Sequence, residues 1–316
     1  MSKVNRNEPK RSRASESRTS LMEFERQFPD DATCLEYLVK TLYPNGIFCP
    51  KCEKVTKHFR NTQRPSYSCE FCGHHEHPMV RTIFQDSPTS LKLWFYAMYL
   101  MASTRCGISA KQLERELGVT YKTAWRMFNK IRSLASAAEE VAPPLGGRGE
   151  AVEMDETYIG PDREHNVPVF GMTQRKRNGK PGRVRAVVIP DGAKTTSVMP
   201  HIKAKVLPAS IVYTDESPIY NAVERIGAGH RHRRIYHSLK VYVQGDIHTS
   251  TVDGFWALVK NGIGGVYHGV STKHLQAYLD EYGFRYNRRK HPAGVFNAWL
   301  SLVGNGKAQA QQTASE

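Results

Sequence analysis

A chain of 316 residues, 40% hydrophobic and with four Trp, has the makings of two or three folded cores, which excludes both a disordered chain and a single small module. Lys and Arg outnumber Asp and Glu by 45 to 30, for a net charge of +15, and that surplus favours a polyanionic partner because each neutralised phosphate releases counterions. No run of about 18 apolar residues is present to cross a bilayer, so the charge does not belong to a membrane-spanning chain.

Residues 1–20, MSKVNRNEPKRSRASESRTS, lack the apolar centre of a secretory signal and read as a flexible basic arm. From Leu21 to Leu42 the apolar positions, among them Phe24, Phe28, Leu35 and Leu38, suggest one or two short helices. They lead into Cys49-Pro-Lys-Cys52 and, sixteen residues further on, Cys69-Glu-Phe-Cys72. Two such knuckles offer four thiolates to one tetrahedral Zn²⁺, a closed and therefore structural site. A redox site of the thioredoxin kind needs only one CxxC, at a helix start. Residues 21–85 thus read as a zinc ribbon with leading helices.

Residues 88–135 are helical in pattern, and Ile108 to Arg132 has the form of a helix-turn-helix. Ala110 and Leu113 would pack inside its first helix, Gly118 would make the turn and Thr120 would cap the second helix. That helix would present Tyr121, Lys122, Thr123 and Arg126 to a major groove, with Ala124, Trp125 and Phe128 packing beneath. A plain helical hairpin has the same periodicity. Residues 136–149 turn to Ala, Pro and Gly and mark a linker.

Strands are expected at Ala151–Asp155, Val167–Met172, Arg183–Ile189, Ile211–Tyr213 and Arg233–Tyr236. Helical spacing falls at 196–206, at Pro218–Ile226 and from near Thr251. This order is the layout of a ribonuclease-H-like α/β domain, with a mixed five-stranded sheet and helices, over 150–296. Residues 297–316 remain as a C-terminal tail. Asp155 and Asp215 close strands and Asp253 opens a helix, places from which three carboxylates can converge on two Mg²⁺ ions. Lys260 follows Asp253 by seven residues, on the same helical face. Glu156 and Glu216, as neighbours of the principal acids, should point to the opposite side of their strands. Basic clusters at 175–185, 230–234 and 285–291 suit DNA-backbone contacts.

The stretches VEMDETYIG (152–160), VYTDESPIYNAV (212–223) and VDGFWALVKNGIGGVYHGVSTKHLQAYLDEYGFRYNRR (252–289) resemble a DDE transposase of a bacterial insertion sequence. The group most resembled has an N-terminal zinc ribbon and an ISXO-like catalytic domain, and CPKC, CEFC and ISAKQLERELGVTYKTAWRM match it in order and position. The resemblance implies binding of element ends, Mg²⁺-dependent hydrolysis of the terminal phosphodiester and attack of the freed 3′-hydroxyl on target DNA. It implies Asp155, Asp215 and Asp253 as the metal-holding acids, Lys260 on the substrate phosphate, a homo-oligomer holding two ends, and a place with the DNA in the bacterial cytoplasm. The family often has Glu at the third position. Asp253 is one methylene shorter, and about 1 Å of lost reach can cost ~10²-fold in rate. His248 and Asp246 are therefore secondary candidates, and KNGIGG after the helix carries less positive charge than DNA contact would suggest. A decayed or domesticated relative that binds DNA without turnover would show the same elements, whereas a zinc-ribbon transcription factor would leave the acids unexplained.

Overall fold

The computed structural model describes residues 19–160, 166–177, 181–239, 243–290 and 294–304, and nearly all of the expected N-terminal arm, the last part of the tail and His291 of the third basic cluster lie outside them. Two helices come first. α1 (Leu21–Gln27) starts on a capping box, in which Ser20 Oγ accepts from the amide of Glu23 and the Glu23 carboxylate accepts from the amide of Ser20. α2 (Asp31–Leu42) starts on Asp30, whose carboxylate accepts from the amide of Thr33. The ribbon follows as β1 (Ile47–Cys49) with β2 (Lys54–Thr56), then β3 (His58–Arg60), β4 (Tyr67–Cys69) and β5 (His75–Glu76) as a three-stranded antiparallel sheet.

α3 (Leu91–Ser103) is apolar almost all round and lies at the centre of a helical core. α4 (Ala110–Leu117) ends at Gly118, whose φ of +63° is the left-handed turn conformation glycine adopts without strain. α5 (Tyr121–Glu140) starts at Thr120, whose hydroxyl accepts from the amide of Thr123. The expected linker therefore begins as helix. Ala135, Ala138 and Glu139 are buried, which carries α5 on to Glu140. The remaining connection holds a two-residue strand, β6 (Leu145–Gly146), paired in parallel with β10 (Val206–Leu207).

The large sheet contains β7 (Ala151–Ile159), β8 (Val167–Gln174), β9 (Arg183–Val188), β11 (Ile211–Thr214) and β12 (Arg231–Arg234), in the order β12–β11–β7–β8–β9. β7, β8 and β9 are antiparallel neighbours, while β11 runs parallel to both β7 and β12. α6 (Thr195–Lys205) covers one face, over Val152, Met154, Phe170, Met172 and Val212. α7 (Ser250–Gly265) and α8 (Thr272–Arg288) cover the other, over Ile159, Val169, Val184 and Ala186. Three expectations shift here. β7 continues four residues past Asp155, the stretch 218–226 forms two short 3₁₀ turns rather than one helix, and β12 starts at Arg231 rather than Arg233.

α9 (Gly294–Leu302) turns the first part of the expected tail into core. Trp299 is buried and stacks on Phe284 with ring centroids 5.5 Å apart, and Phe296 meets Phe24 of α1 at 5.8 Å. The helical region and the sheet are also joined by a buried ion pair. Arg132 of α5 donates through Nε to Glu281 of α8 at 2.6 Å, with both side chains 1% exposed. The guanidinium carbon lies 3.5 Å from the centre of the Phe128 ring and 3.3 Å from that of Tyr278. Glu281→Ala would leave that cation buried without its counter-charge. The expected cost is about 3–5 kcal/mol of unfolding free energy, read from the denaturant midpoint.

Candidate catalytic site and zinc centre

The four knuckle cysteines come together. Cys49 and Cys72 sulfurs are 3.5 Å apart, Cys52 and Cys69 sulfurs 3.9 Å apart, and all four lie within 4.8 Å of one another. Bonds of about 2.3 Å to a central tetrahedral Zn²⁺ set sulfurs about 3.8 Å apart, so the donor set fits a structural zinc. The Thr56 hydroxyl, 3.2 Å from the Cys69 sulfur, lowers that thiol to about 5 and favours the thiolate a metal needs. His74, His75 and His77 are outside the cluster, and His75 instead meets the Ser68 hydroxyl at 2.9 Å.

Asp155 sits within β7 opposite Gly171 of β8, and its side chain points to the α7 face. Trp256 of α7 donates through Nε1 to Asp155 Oδ2 at 3.1 Å. The register of β11 against β7 pairs Tyr213 with Glu153. Continued by two residues, it sets Asp215 level with Asp155 where the parallel ladder has ended. The Asp215 carboxylate accepts from the amide of Ser217 at 3.0 Å, which turns the chain sharply after the strand. Asp253 stands in the first turn of α7 and accepts from the Thr249 hydroxyl at 3.3 Å.

Two of the carboxylates act on Asp155. Asp155 is pushed up to about 7, first by burial and then by the charges of Asp253 and Asp215. Burial also raises Asp253. Among the described residues the cysteines are the one set of three or more candidate ligands that closes within 4.8 Å, so the aspartates are more widely spread than that. Asp246 does not join them, whereas the charge of His248 acts on Asp253. His248 lies 3.4 Å from Glu153, and exposed Asp246 contributes its backbone carbonyl to Arg175 at 2.5 Å. Lys260 is exposed on α7, two turns beyond Asp253.

Glu156 points to the opposite face from Asp155, as alternation requires, and accepts a hydrogen bond from the buried Tyr220 hydroxyl. Burial raises it to about 7 as well. Glu216 is occupied by the amides of His237 and Ser238, at 2.8 and 2.9 Å.

Two residues that sequence reasoning passed over, with an arginine that it gave to the DNA backbone, hold the site together. Glu153, two positions before Asp155 and on the same face of β7, is fully buried. It accepts from the amides of Thr251 and Val252 at 2.8 and 3.1 Å, pinning the first turn of α7 that carries Asp253. Arg175 pairs with Glu153 at 2.5 Å and donates to the carbonyl of His248 at 2.8 Å, so the loop before α7 is tied down too. The signal was available in VEMD, where two acids share one side of a strand. Gly171 is the second. A Cβ there would stand 2.3 Å from Trp256 Cζ2, so only glycine lets the indole lie across β8 and reach Asp155. Gly171→Ala is expected to displace the indole, cost about 1–3 kcal/mol and alter tryptophan fluorescence.

On α5, Tyr121 and Lys122 are exposed. The Thr120 hydroxyl donates to Thr123 Oγ1 at 3.1 Å, and half-buried Arg126 donates to Ser87 Oγ at 3.2 Å. Within KNGIGG, Gly262 has a packing cause, because a Cβ there would stand 2.7 Å from the carbonyl oxygen of Cys106. No helix among the described residues is long and apolar enough to cross a membrane.

Comparison with known proteins agrees with this layout. Residues 144–287 match the ISXO2-like transposase domain, and residues 29–75 match the transposase zinc-ribbon domain. A protein in transposable element ISH50 of Halobacterium salinarum is 28% identical over 286 residues, covering 82% of this chain and 91% of that protein. A transposase-like protein of Haemophilus influenzae is 30% identical over 105 residues, 33% of this chain and 81% of that protein. Ribbon, helical core and sheet thus stand in the order of those matches, and the chain belongs to the insertion-sequence transposases with a zinc ribbon and an ISXO2-like domain.

Proposed function

We propose that this transposase binds the ends of its element and cuts and joins DNA there, using a DDE-type site of Asp155, Asp215 and Asp253 that holds two Mg²⁺ ions. The observation that carries this reading is the place of Asp155, which burial first, and then the charges of Asp253 and Asp215, raise to about 7. The strand order β12–β11–β7–β8–β9, with β8 antiparallel and acids on two central strands and one helix, supports a ribonuclease-H-like domain. Hard carboxylate oxygens suit Mg²⁺, which keeps waters and takes substrate phosphate as further ligands. Such ions, when bound, polarise the phosphodiester and ease deprotonation of the attacking oxygen. Around them Trp256 fixes one oxygen of Asp155, Glu153 holds the turn bearing Asp253, and Lys260 contacts a substrate phosphate. The exposed start of α5 docks duplex DNA, with Tyr121 and Lys122 leading, Thr123 fixing the helix start and Arg126 reaching in beside Ser87. Two ends held together require at least two copies of the chain.

The test is Mg²⁺-dependent nicking of a duplex that carries the flanking ends of the element. Loss of nicking in Asp215→Asn and in Asp253→Asn, with DNA affinity unchanged, is the expected outcome. Full activity in either variant would remove that residue from the site. Binding without nicking by the unaltered protein, in Mn²⁺ as well, would sink the catalytic reading.

A further inference from the structure

The ribbon presents an aromatic surface that its metal does not require. Phe48, Phe59 and Phe71 are 45%, 53% and 65% exposed. The inward positions of the same strands are already filled by Cys49, Thr56, Tyr67 and Cys69, all buried. Lys54 Nζ lies 4.6 Å from the centre of the Phe71 ring, and Lys57 Nζ lies 4.9 Å from that of Phe59. The two rings are linked through the backbone, since the amide of Glu70 donates to the carbonyl of Lys57 at 3.0 Å and the amide of Lys57 to Glu70 Oε1 at 3.2 Å. Arg60 and Arg64 follow Phe59, both exposed, and line a cleft of about 310 Å³ between the ribbon and the start of α3. Ser87 on the same cleft is the acceptor of Arg126 from α5. Arg60, however, alternates to the opposite face of β3 from Phe59 and lies 3.9 Å from Glu36, so this cleft is a surface apart from the two rings and their lysines.

We propose that this ribbon face binds an unpaired DNA strand, stacking bases on Phe59 and Phe71 while Lys54 and Lys57 take its phosphates. Solvent-exposed rings flanked by flexible cations suit a partner that has both π faces and negative charge. A duplex hides its base faces in its own stack, so an unpaired strand is the form of DNA that can use both. The cations alone would serve a duplex equally well; the rings make the difference. The proposal rests on the DNA-binding reading above and goes beyond it by giving the ribbon a ligand different from that of α5.

The test measures fluorescence anisotropy of the full zinc-loaded chain at one salt concentration, with a labelled oligo-dT of ~20 nucleotides and with the end-bearing duplex. The double variant Phe59→Ala/Phe71→Ala is expected to lose about tenfold or more in oligo-dT affinity and keep its duplex affinity. Phe59→Tyr/Phe71→Tyr should keep both, because the rings remain. Unchanged oligo-dT binding by the alanine variant overturns the proposal, and so does a parallel loss on both ligands. A shift of that variant to a smaller oligomer by light scattering, with oligo-dT affinity unchanged, would overturn it in favour of a second copy on this face. Duplex binding without oligo-dT binding by the unaltered chain sinks this proposal alone. Absence of duplex binding would instead sink the reading on which it rests.

Discussion

Asp155→Asn is expected to abolish nicking and, in the same molecule, to raise the stability of the metal-free protein at pH 8. The two effects have one cause. Burial and the charges of Asp253 and Asp215 hold Asp155 at about 7, above its unfolded value near 4. Between these values the folded chain keeps a proton that the unfolded chain has released. Stability therefore falls as the pH rises from about 4 to about 7, and the full penalty is present above that. Three units correspond to about 4 kcal/mol, and partial solvent access reduces this to about 1–3 kcal/mol. Asparagine fills the same space without the charge. Its advantage in thermal midpoint should be several degrees at pH 8 and should vanish as the pH is lowered toward 4. Added Mg²⁺ should raise the midpoint of the unaltered protein and leave the variant where it was. An unaltered protein that is the more stable of the two at pH 8 without metal would contradict the assignment of Asp155 as a strained acid.

Zinc removal is the second large effect. The ribbon strands are two or three residues long, too short to stand on backbone pairing alone. Structural zinc supplies about 10–16 kcal/mol in isolated finger peptides, so its loss should open this region outright. Cys69→Ser, or treatment with a strong chelator, is expected to make residues 46–80 sensitive to protease. The helical core and the sheet should persist, because the ribbon adds Ile47 and Tyr67 to a core that rests on residues outside it, among them Phe24, Trp94, Phe95, Phe128 and Trp299. Limited proteolysis with mass mapping reads this directly. Uniform protection after zinc loss would show that the cysteines are not what holds the ribbon.

Local chemistry made parts of this structure legible. Gly118 marks a helix end by its left-handed φ and Thr120 marks a helix start through its bond from the amide of Thr123, and the two CxxC pairs bring their sulfurs together by knuckle geometry. Asp155 was harder, because an acid after four apolar or shielded positions reads as the end of a strand. The ladder with β8 instead carries β7 through it to Ile159. β12 was shifted because its residues, Arg-His-Arg-Arg, give no apolar alternation, and its pairing with β11 alone sets its start. Glu153 and Gly171 went unread, and Arg175 was given with its cluster to the DNA backbone, for a different reason. Their roles depend on α7 arriving from about a hundred residues away, as the separation of Glu153 from Val252 shows. The buried Arg132–Glu281 pair, spanning 149 positions, is invisible to pattern for the same reason.

The continuity of α5 has a consequence for where the chain can act. Its 20 residues make a rod of about 30 Å, roughly the length of nine base pairs. One end is the surface proposed to dock DNA, and the other is bonded to the sheet and to α8, where Arg185 donates to the carbonyl of Glu139 at 2.6 Å and Arg288 pairs with its carboxylate at 3.0 Å. The rod is also pinned midway by Arg132. The helix is thus a ruler rather than a tether. On the proposed function, the offset between the sequence a copy grips and the bond it can reach is built into the length of one helix, and changing that offset means remaking a core.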